Sequence, residues 1–420
     1  MASSDSATAM QVALSTERDA LKATGGVMDG AIATNVKPST PRRPAGESPA
    51  DVRPERLRSA DPDAFGVPTG REEEWRFTPL ARVKPLFDAV PGAAAGLDAR
   101  IEGEQDGVSF GPVADGDPLL DGLPLPADLL SARAASAPGS TTALRIDKAA
   151  ELTEAVVVNL TATGDAVLFG HLVIEVGEQA RATVVLDHTG DARYVGKTSV
   201  LLGDGASLDL VSVQSWGETA VHSEHLAFQV GRDARLRSTQ VTLGGSLVRV
   251  LETVDFTGPG GDVELRGVSF ADDGQHLEHR LLVDHSVPKC RSRVTYKSAL
   301  QGDQAHTVWI GDVLIRAAAE GTDTYELNRN LLLTPEARAD SVPNLEIETG
   351  EIAGAGHASA TGRFDDEQLF YLQARGIPAD VARRMVVRGF FAEVVESIGV
   401  PALEERLMAT IETELERAFS

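Results

Sequence analysis

The sequence predicts a mainly β protein: a parallel β-helix core, preceded by a helical or mixed N-terminal region and followed by an α-helical C-terminal domain. Three observations carry that reading. From Ala155 to Glu348 the chain is made of short β-branched runs broken by Gly and Asp. Within this stretch one phrase recurs at a near-constant period, as Gly177-Glu178-Gln179-Ala180, Gly203-Asp204-Gly205-Ala206, Gly231-Arg232-Asp233-Ala234 and, more weakly, Gly258-Pro259-Gly260-Gly261. A period of that length marks a repeat architecture, whereas a β-sandwich turns about every 8–12 residues and need not repeat a phrase. Coils of such a repeat stack at about 4.8 Å, the spacing of neighbouring strands. Finally, from residue 365 onward apolar residues fall at helical spacing.

Taken in order, residues 1–70 are read as a largely flexible segment. Residues 1–30 mix Ala, Ser and charges, with a short helix over Met10 to Ala23, and 36–70 are rich in Pro, Arg, Ala and Asp. Such composition buries too little apolar surface to offset the entropy of ordering. Residues 71–150 form a helical or mixed region, in which Trp75, Phe77 and Leu80 punctuate a charged segment and dock it on the body. The β-helix spans 151–350, and its last strand is Asn344-Leu345-Glu346-Ile347-Glu348, which alternates with period two. The C-terminal domain spans 351–420. It opens on a stretch of small residues, Gly350 to Ser359, read as a loop that leaves His357 accessible. Asp365 with Gln368 gives a capping-box-like helix start, and Pro378 and Pro401 open two further helices. Leu403, Leu407, Ile411 and Leu415 recur at every fourth position. These helices carry more apolar residues than they must bury among themselves, so they either pack on the end of the β-helix or dock another protein.

Composition bounds the function. In 420 residues with 42% hydrophobic content the core is ample without disulfide or metal. The single Cys290 excludes an intramolecular disulfide, suggests a reducing compartment and rules out a four-cysteine cluster site within this chain. A net charge of -24 argues against binding a phosphate backbone. The first ten residues carry neither a basic start nor an apolar run, and no window of eighteen apolar residues occurs, so the expectation is a cytoplasmic protein away from the membrane.

Candidate sites are few. Gly190 to Thr198 imitates a phosphate-binding loop, but five residues separate its glycines where four are required, and a strand-like run follows where a helix should. Histidines gather at His276, His279, His285 and His306. Glu252, His279 and His306 follow one another at the period of the glycine phrase, so coil stacking would align the three, as a hydrogen-bonded ladder more than a metal site. Cys290 precedes Arg291 and Arg293, whose guanidinium charge favours a thiolate able to accept sulfur or bind iron; a buried small hydrophobe is the competing reading. His357 offers imidazole, a ligand suited to iron. A secreted-type β-helix polysaccharide lyase or hydrolase, with paired Asp272 and Asp273, is the enzymatic alternative, and a purely structural β-helix is a third; the 5% aromatic content is poor for stacking sugars.

Several stretches together are similar to the SufB/SufD core of the SUF iron-sulfur cluster assembly system. They are Pro343-Asn344-Leu345-Glu346-Ile347, the His357 segment, Gly362-Arg363, Asp366 to Leu372 with Arg375-Gly376, Pro288 to Ser292, Tyr296-Lys297-Ser298, Asn330 to Leu333, and Glu74 to Thr78. The resemblance implies a right-handed β-helix and a non-enzymatic subunit that holds no cofactor stably. It places His357 at a heterodimer interface, where iron or a nascent iron-sulfur cluster resides transiently. The B-type scaffold carries a cysteine where Asn328 stands here and a glutamate where Ala358 stands, so the chain resembles SufD more than SufB; Ala355 stands where some D-type relatives have cysteine. Implied partners are a SufB-like scaffold paired through the end strands and a SufC-like ATPase, which binds the ATP and docks on the C-terminal helices. Phe390 and Phe391 are the expected docking anchors, with Arg384 and Glu393 on the rim. ATP-driven closure of SufC would move the two β-helix subunits apart around His357, and the isolated chain would form a homodimer.

Overall fold

The computed structural model describes residues 56–363, apart from 93–96, 104 and 115, together with 366–419. The helix expected over Met10 to Ala23 and the helix-capping Asp365 lie outside the described residues. Sixteen strands form one sheet: β1 (Leu97–Glu102), β2 (Val108–Pro112), β3 (Thr141–Ile146), β4 (Val156–Val176), β5 (Arg181–Leu202), β6 (Ser207–Trp216), β7 (Val221–Val230), β8 (Arg235–Thr242), β9 (Leu247–Phe256), β10 (Asp262–Ala271), β11 (His276–His285), β12 (Arg291–Leu300), β13 (His306–Ile315), β14 (Asp323–Leu332), β15 (Arg338–Ile347) and β16 (Gly354–Arg363). The helices are α1 (Leu80–Asp88), α2 (Leu129–Ser136), α3 (Asp366–Ala374), α4 (Ala379–Val395) and α5 (Pro401–Phe419).

The strand order β15-β13-β11-β9-β7-β5-β6-β8-β10-β12-β14-β16 describes a parallel solenoid of about eight turns. The long strand β5 bends at Gly190: its first half pairs with β6 and its second with β7. Beyond it each coil contributes one strand to each of two faces, paired in parallel with the coil before. The predicted β-helix is therefore present.

The repeated phrase is the coil corner, and stacking explains its glycine. A Cβ on Gly203 would lie 2.7 Å from the Glu178 amide nitrogen, and one on Gly231 2.7 Å from the Leu202 carbonyl oxygen, closer than real Cβ contacts allow. The third position turns the chain through the left-handed region, at φ 60° for Gln179, 68° for Gly205 and 54° for Asp233. The fourth points inward, where Ala180, Ala206 and Ala234 are buried. The period itself drifts. Leu247 pairs with His276, His276 with His306 and His306 with Arg338, so each of these later coils is longer than the one before it.

Two regions cover the solenoid's outer faces. On one, Trp75 packs edge-on against Phe87 at 5.2 Å and lies 3.8 Å beneath the Arg249 guanidinium, with Leu86, Leu130 and Val195 in the same apolar cluster. Arg249 is buried and held by Asp128 at 3.0 Å. On the other, Val387, Phe391, Val394 and Ile398 with Leu403, Leu407, Ile411 and Leu415 meet Val185, Val211, Val213, Val241, Val268, Phe270 and Ala299. The helical tail thus lies along a flank of the solenoid and does not cap its end.

Candidate functional site at the open end of the solenoid

Among the described residues the last two strands, β15 and β16, each pair with one neighbour in the stack and leave the other edge unpaired. His357 sits there, and not on a loop. Its small neighbours Gly354, Ala355 and Gly356 belong to β16, which pairs with β14 along its whole length. A Cβ at Gly356 would meet the Tyr325 ring at 3.3 Å, so the small residues serve close strand packing as much as access. His357 is half-buried, and its Nδ1 is enclosed without a hydrogen-bond partner.

Register sets Glu326 of β14 beside His357, and residues in register on parallel strands face the same way. Glu326 is 1% exposed, and neither carboxyl oxygen has a hydrogen-bond partner. Burial, with Asp312 nearby, pushes this carboxyl up to about 8. Further along the same face is Asn328. Its Oδ1 accepts from Ser341 Oγ at 2.7 Å, Asn330 Nδ2 at 3.0 Å and Ser359 Oγ at 3.3 Å, while its Nδ2 is enclosed and unpaired. The Trp309 indole nitrogen is unpaired as well. Buried polar atoms are ordinarily satisfied; enclosed unpaired atoms also occur further back in the solenoid, at His188, His222 and Glu224 among others, and Trp309, Glu326, Asn328 and His357 are the group of them at this end.

The other sequence candidates resolve differently. Cys290 occupies the inward corner position that Ala234 holds two coils earlier. It is buried in the apolar core, and burial raises its thiol pKa in place of the thiolate that its sequence neighbours suggested. Arg291 and Arg293 turn instead to Asp262 at 2.7 Å and Asp323 at 2.5 Å. The expected ladder of Glu252, His279 and His306 does not form, because these coils are longer than the early ones that set the period. Glu252 pairs in register with Leu281, and His279 with Trp309. His276 and His306 meet instead, Nδ1 to Nδ1 at 3.0 Å, flanked by Glu278 at 3.2 Å and Asp340 at 2.7 Å. Asp272 and Asp273 cap a coil corner, accepting from the Asp273 and Gln304 amides at 2.7 and 2.8 Å, so they form no catalytic pair. Gly196, Lys197 and Thr198 lie within β5 with no helix after them.

Among the described residues one group brings three potential ligand atoms within 4.8 Å of one another: His188, His222 and Glu224, inside the solenoid. The Trp216 indole donates to His222 Nδ1 at 3.0 Å, which fixes the proton of the neutral ring on Nε2, aimed at Glu224. A cation there would have to displace that proton; His188 Nε2 and His222 Nε2 stand 3.7 and 3.5 Å from Glu224 Oε2 with no hydrogen bond to it, all three atoms are enclosed and unpaired, and the other Glu224 oxygen accepts from Thr198 Oγ1 at 2.6 Å.

Of the expected docking residues, Phe391 is fully buried in the core between helix and solenoid and is an intramolecular anchor. Phe390 is half-buried; its carbonyl accepts from Lys297 Nζ at 3.0 Å, and exposed Glu393 pairs with the same ammonium at 2.6 Å. Arg384 is half-buried on α4. Among the described side chains of this domain, the large apolar ones that face solvent are Phe370 and Tyr371 of α3, which sequence periodicity alone does not single out.

A parallel β-helix followed by C-terminal helices is the architecture that the resemblance to the SufB/SufD core implies. The family model of the SufBD core domain, of SUF system FeS cluster assembly, matches residues 158–390. Over 377 residues the chain is 51% identical to an iron-sulfur cluster assembly SufBD family protein of Mycobacterium tuberculosis, covering 88% of this chain and 95% of that one. A SufBD family protein of Mycobacterium leprae is 52% identical over 367 residues, with 85% and 93% covered. The iron-sulfur cluster assembly protein SufD of Escherichia coli is 27% identical over 243 residues, 57% of each chain. The chain belongs to the SufBD family of iron-sulfur cluster assembly proteins, and its more distant likeness is to SufD. No helix among the described residues is long and apolar enough to cross a membrane.

Proposed function

We propose that this chain is the SufD-like subunit of a SufB–SufC–SufD assembly, a structural partner with no catalysis of its own. In this reading the unpaired edges of β15 and β16 join a SufB-like scaffold, and His357 contributes to the interface where the cluster forms. The C-terminal helices dock a SufC-like ATPase, which alone binds the nucleotide, and the chain holds iron or cluster only transiently. The lone, buried Cys290 suits a reducing compartment such as the cytoplasm. The observation that carries the reading is the coincidence of two open strand edges with a half-buried histidine on one of them. Open edges are a liability that a partner strand removes. Asn328 and Ala358 supply neither the thiolate nor the carboxylate of a B-type scaffold, so the partner must bring them.

The test is co-expression with SufB and SufC, anaerobic purification, and absorption spectroscopy of the wild-type complex and His357→Ala. An intact complex that loses its cluster absorption is the expected result for the mutant. Normal cluster in His357→Ala would remove the residue from the site, and failure of the wild type to assemble would overturn the subunit assignment.

A further inference from the structure

Among the described residues Glu326 is the one buried carboxyl with both oxygens bonding nothing. A lone carboxyl in the core costs several kcal/mol unless something compensates it, so the fold must gain by keeping it. The space for it is reserved. A Cβ at Gly311 would lie 2.5 Å from Glu326 Oε1 and 2.6 Å from the edge of the Trp309 indole, so any other residue at 311 would displace the carboxyl. One coil outward, at about 4.8 Å, His357 stands in register, its Nδ1 also enclosed and unpartnered. The two do not bond each other. The register sets the two side chains on adjacent coils of one face, where a metal ion that displaces the carboxyl proton could take one bond of about 2.1 Å from each.

We propose that Glu326 and His357 together form a divalent transition-metal site, suited to Fe2+, at the open end of the solenoid. The proposal rests on the reading that iron chemistry occurs at this end, and adds that the chain brings its own carboxylate ligand to it. Two protein ligands leave at least two coordination positions open on the side of the unpaired β15 and β16 edges, where a partner chain or solvent completes the shell. Oxygen and nitrogen donors of this kind suit first-row divalent ions and do not select thiolate-bound clusters. The unpaired N–H of Trp309 and amide of Asn328 remain as donors for whatever else the ion carries.

The full-length chain, stripped with chelator under anaerobic conditions, is titrated with Co2+ as a coloured stand-in, followed by competition with Fe2+. One equivalent of Co2+ should bind, quench tryptophan emission in a manner lost in Trp309→Phe, and be displaced by Fe2+. Glu326→Gln and His357→Ala should each weaken binding roughly tenfold or more, while His306→Ala, in the separate pair with buried His276, leaves it unchanged. Absence of binding by the wild type, or wild-type affinity in Glu326→Gln, overturns the site. Should Glu326→Gln fail to fold, X-ray absorption at the cobalt edge of the wild type decides, since a spectrum without imidazole scattering also overturns it. The two ideas fail separately. Unchanged cobalt binding in the variants, with cluster lost from the His357→Ala complex, sinks the metal site and leaves the subunit reading; loss of cobalt in both variants, without any complex in co-expression, does the reverse.

Discussion

At the scale of the residue, Glu326 shows how a side chain can be tuned by what surrounds it and by what is missing. Its carboxyl is held up at about 8 against an ordinary 4.5, so between those values the folded protein keeps a proton that the unfolded chain releases. Stability from this group is therefore complete below about 4.5 and is lost as pH rises to about 8. In the presence of chelator, wild type should lose stability across that window relative to Glu326→Gln, by on the order of 4 kcal/mol over the whole range. Denaturant melts of both proteins on either side of that window measure it, and parallel pH profiles would show the carboxyl to be compensated by something else. Cys290 makes the complementary point. Flanking arginines predict an activated thiol, but a corner position turns the sulfur into the core and the guanidinium groups away from it, and the pKa moves up.

At the scale of the element, the solenoid corner decides what the chain tolerates. Gly203 and Gly231 carry no unusual φ, and their need for glycine comes from the coil stacked directly beneath them. Gly203→Ala should cost on the order of 3 kcal/mol, as overpacking against immovable backbone does. Gly350→Ala, where a new Cβ meets nothing within 4 Å, should cost close to nothing. Thermal melts of the pair test this, and equal melting temperatures would mean that the stack relaxes freely. The helical tail follows a different rule: its recurring apolar positions are satisfied by a sheet face that is itself apolar, which is why Phe391 is an internal anchor.

At the scale of the whole molecule, a solenoid is held by contacts between neighbouring coils, so its ends are its weakest parts. Coils from β7 to β10 have a neighbour on both sides and are covered by helices or by the N-terminal region; β15 and β16 have neither advantage along their free edges. Amide exchange of the isolated chain should be slowest in the central coils and fastest in β15 and β16, and these two should gain protection in the presence of a SufB partner. Exchange at β15 and β16 that a bound partner leaves unchanged would place the contact elsewhere.

The β-helix, its corner phrase and the helical tail are all legible in the sequence, because stacking imposes a local requirement on every coil: a residue without a Cβ, a left-handed turn and a small inward side chain, at nearly fixed intervals. The sequence singles out His357 as an accessible loop imidazole among small residues, whereas those small residues form a strand and leave the ring half-buried. What the tertiary structure alone decided is who stands next to whom between coils. The period of the early coils, carried forward unchanged, aligns Glu252, His279 and His306, yet later corners that are longer than the early ones pair His276 with His306 instead and set Glu326 of the preceding coil beside His357. Side chains alternate between faces along a strand, so even a single added residue in a corner exchanges the inward set for the outward one. No local pattern records that sum of corner lengths.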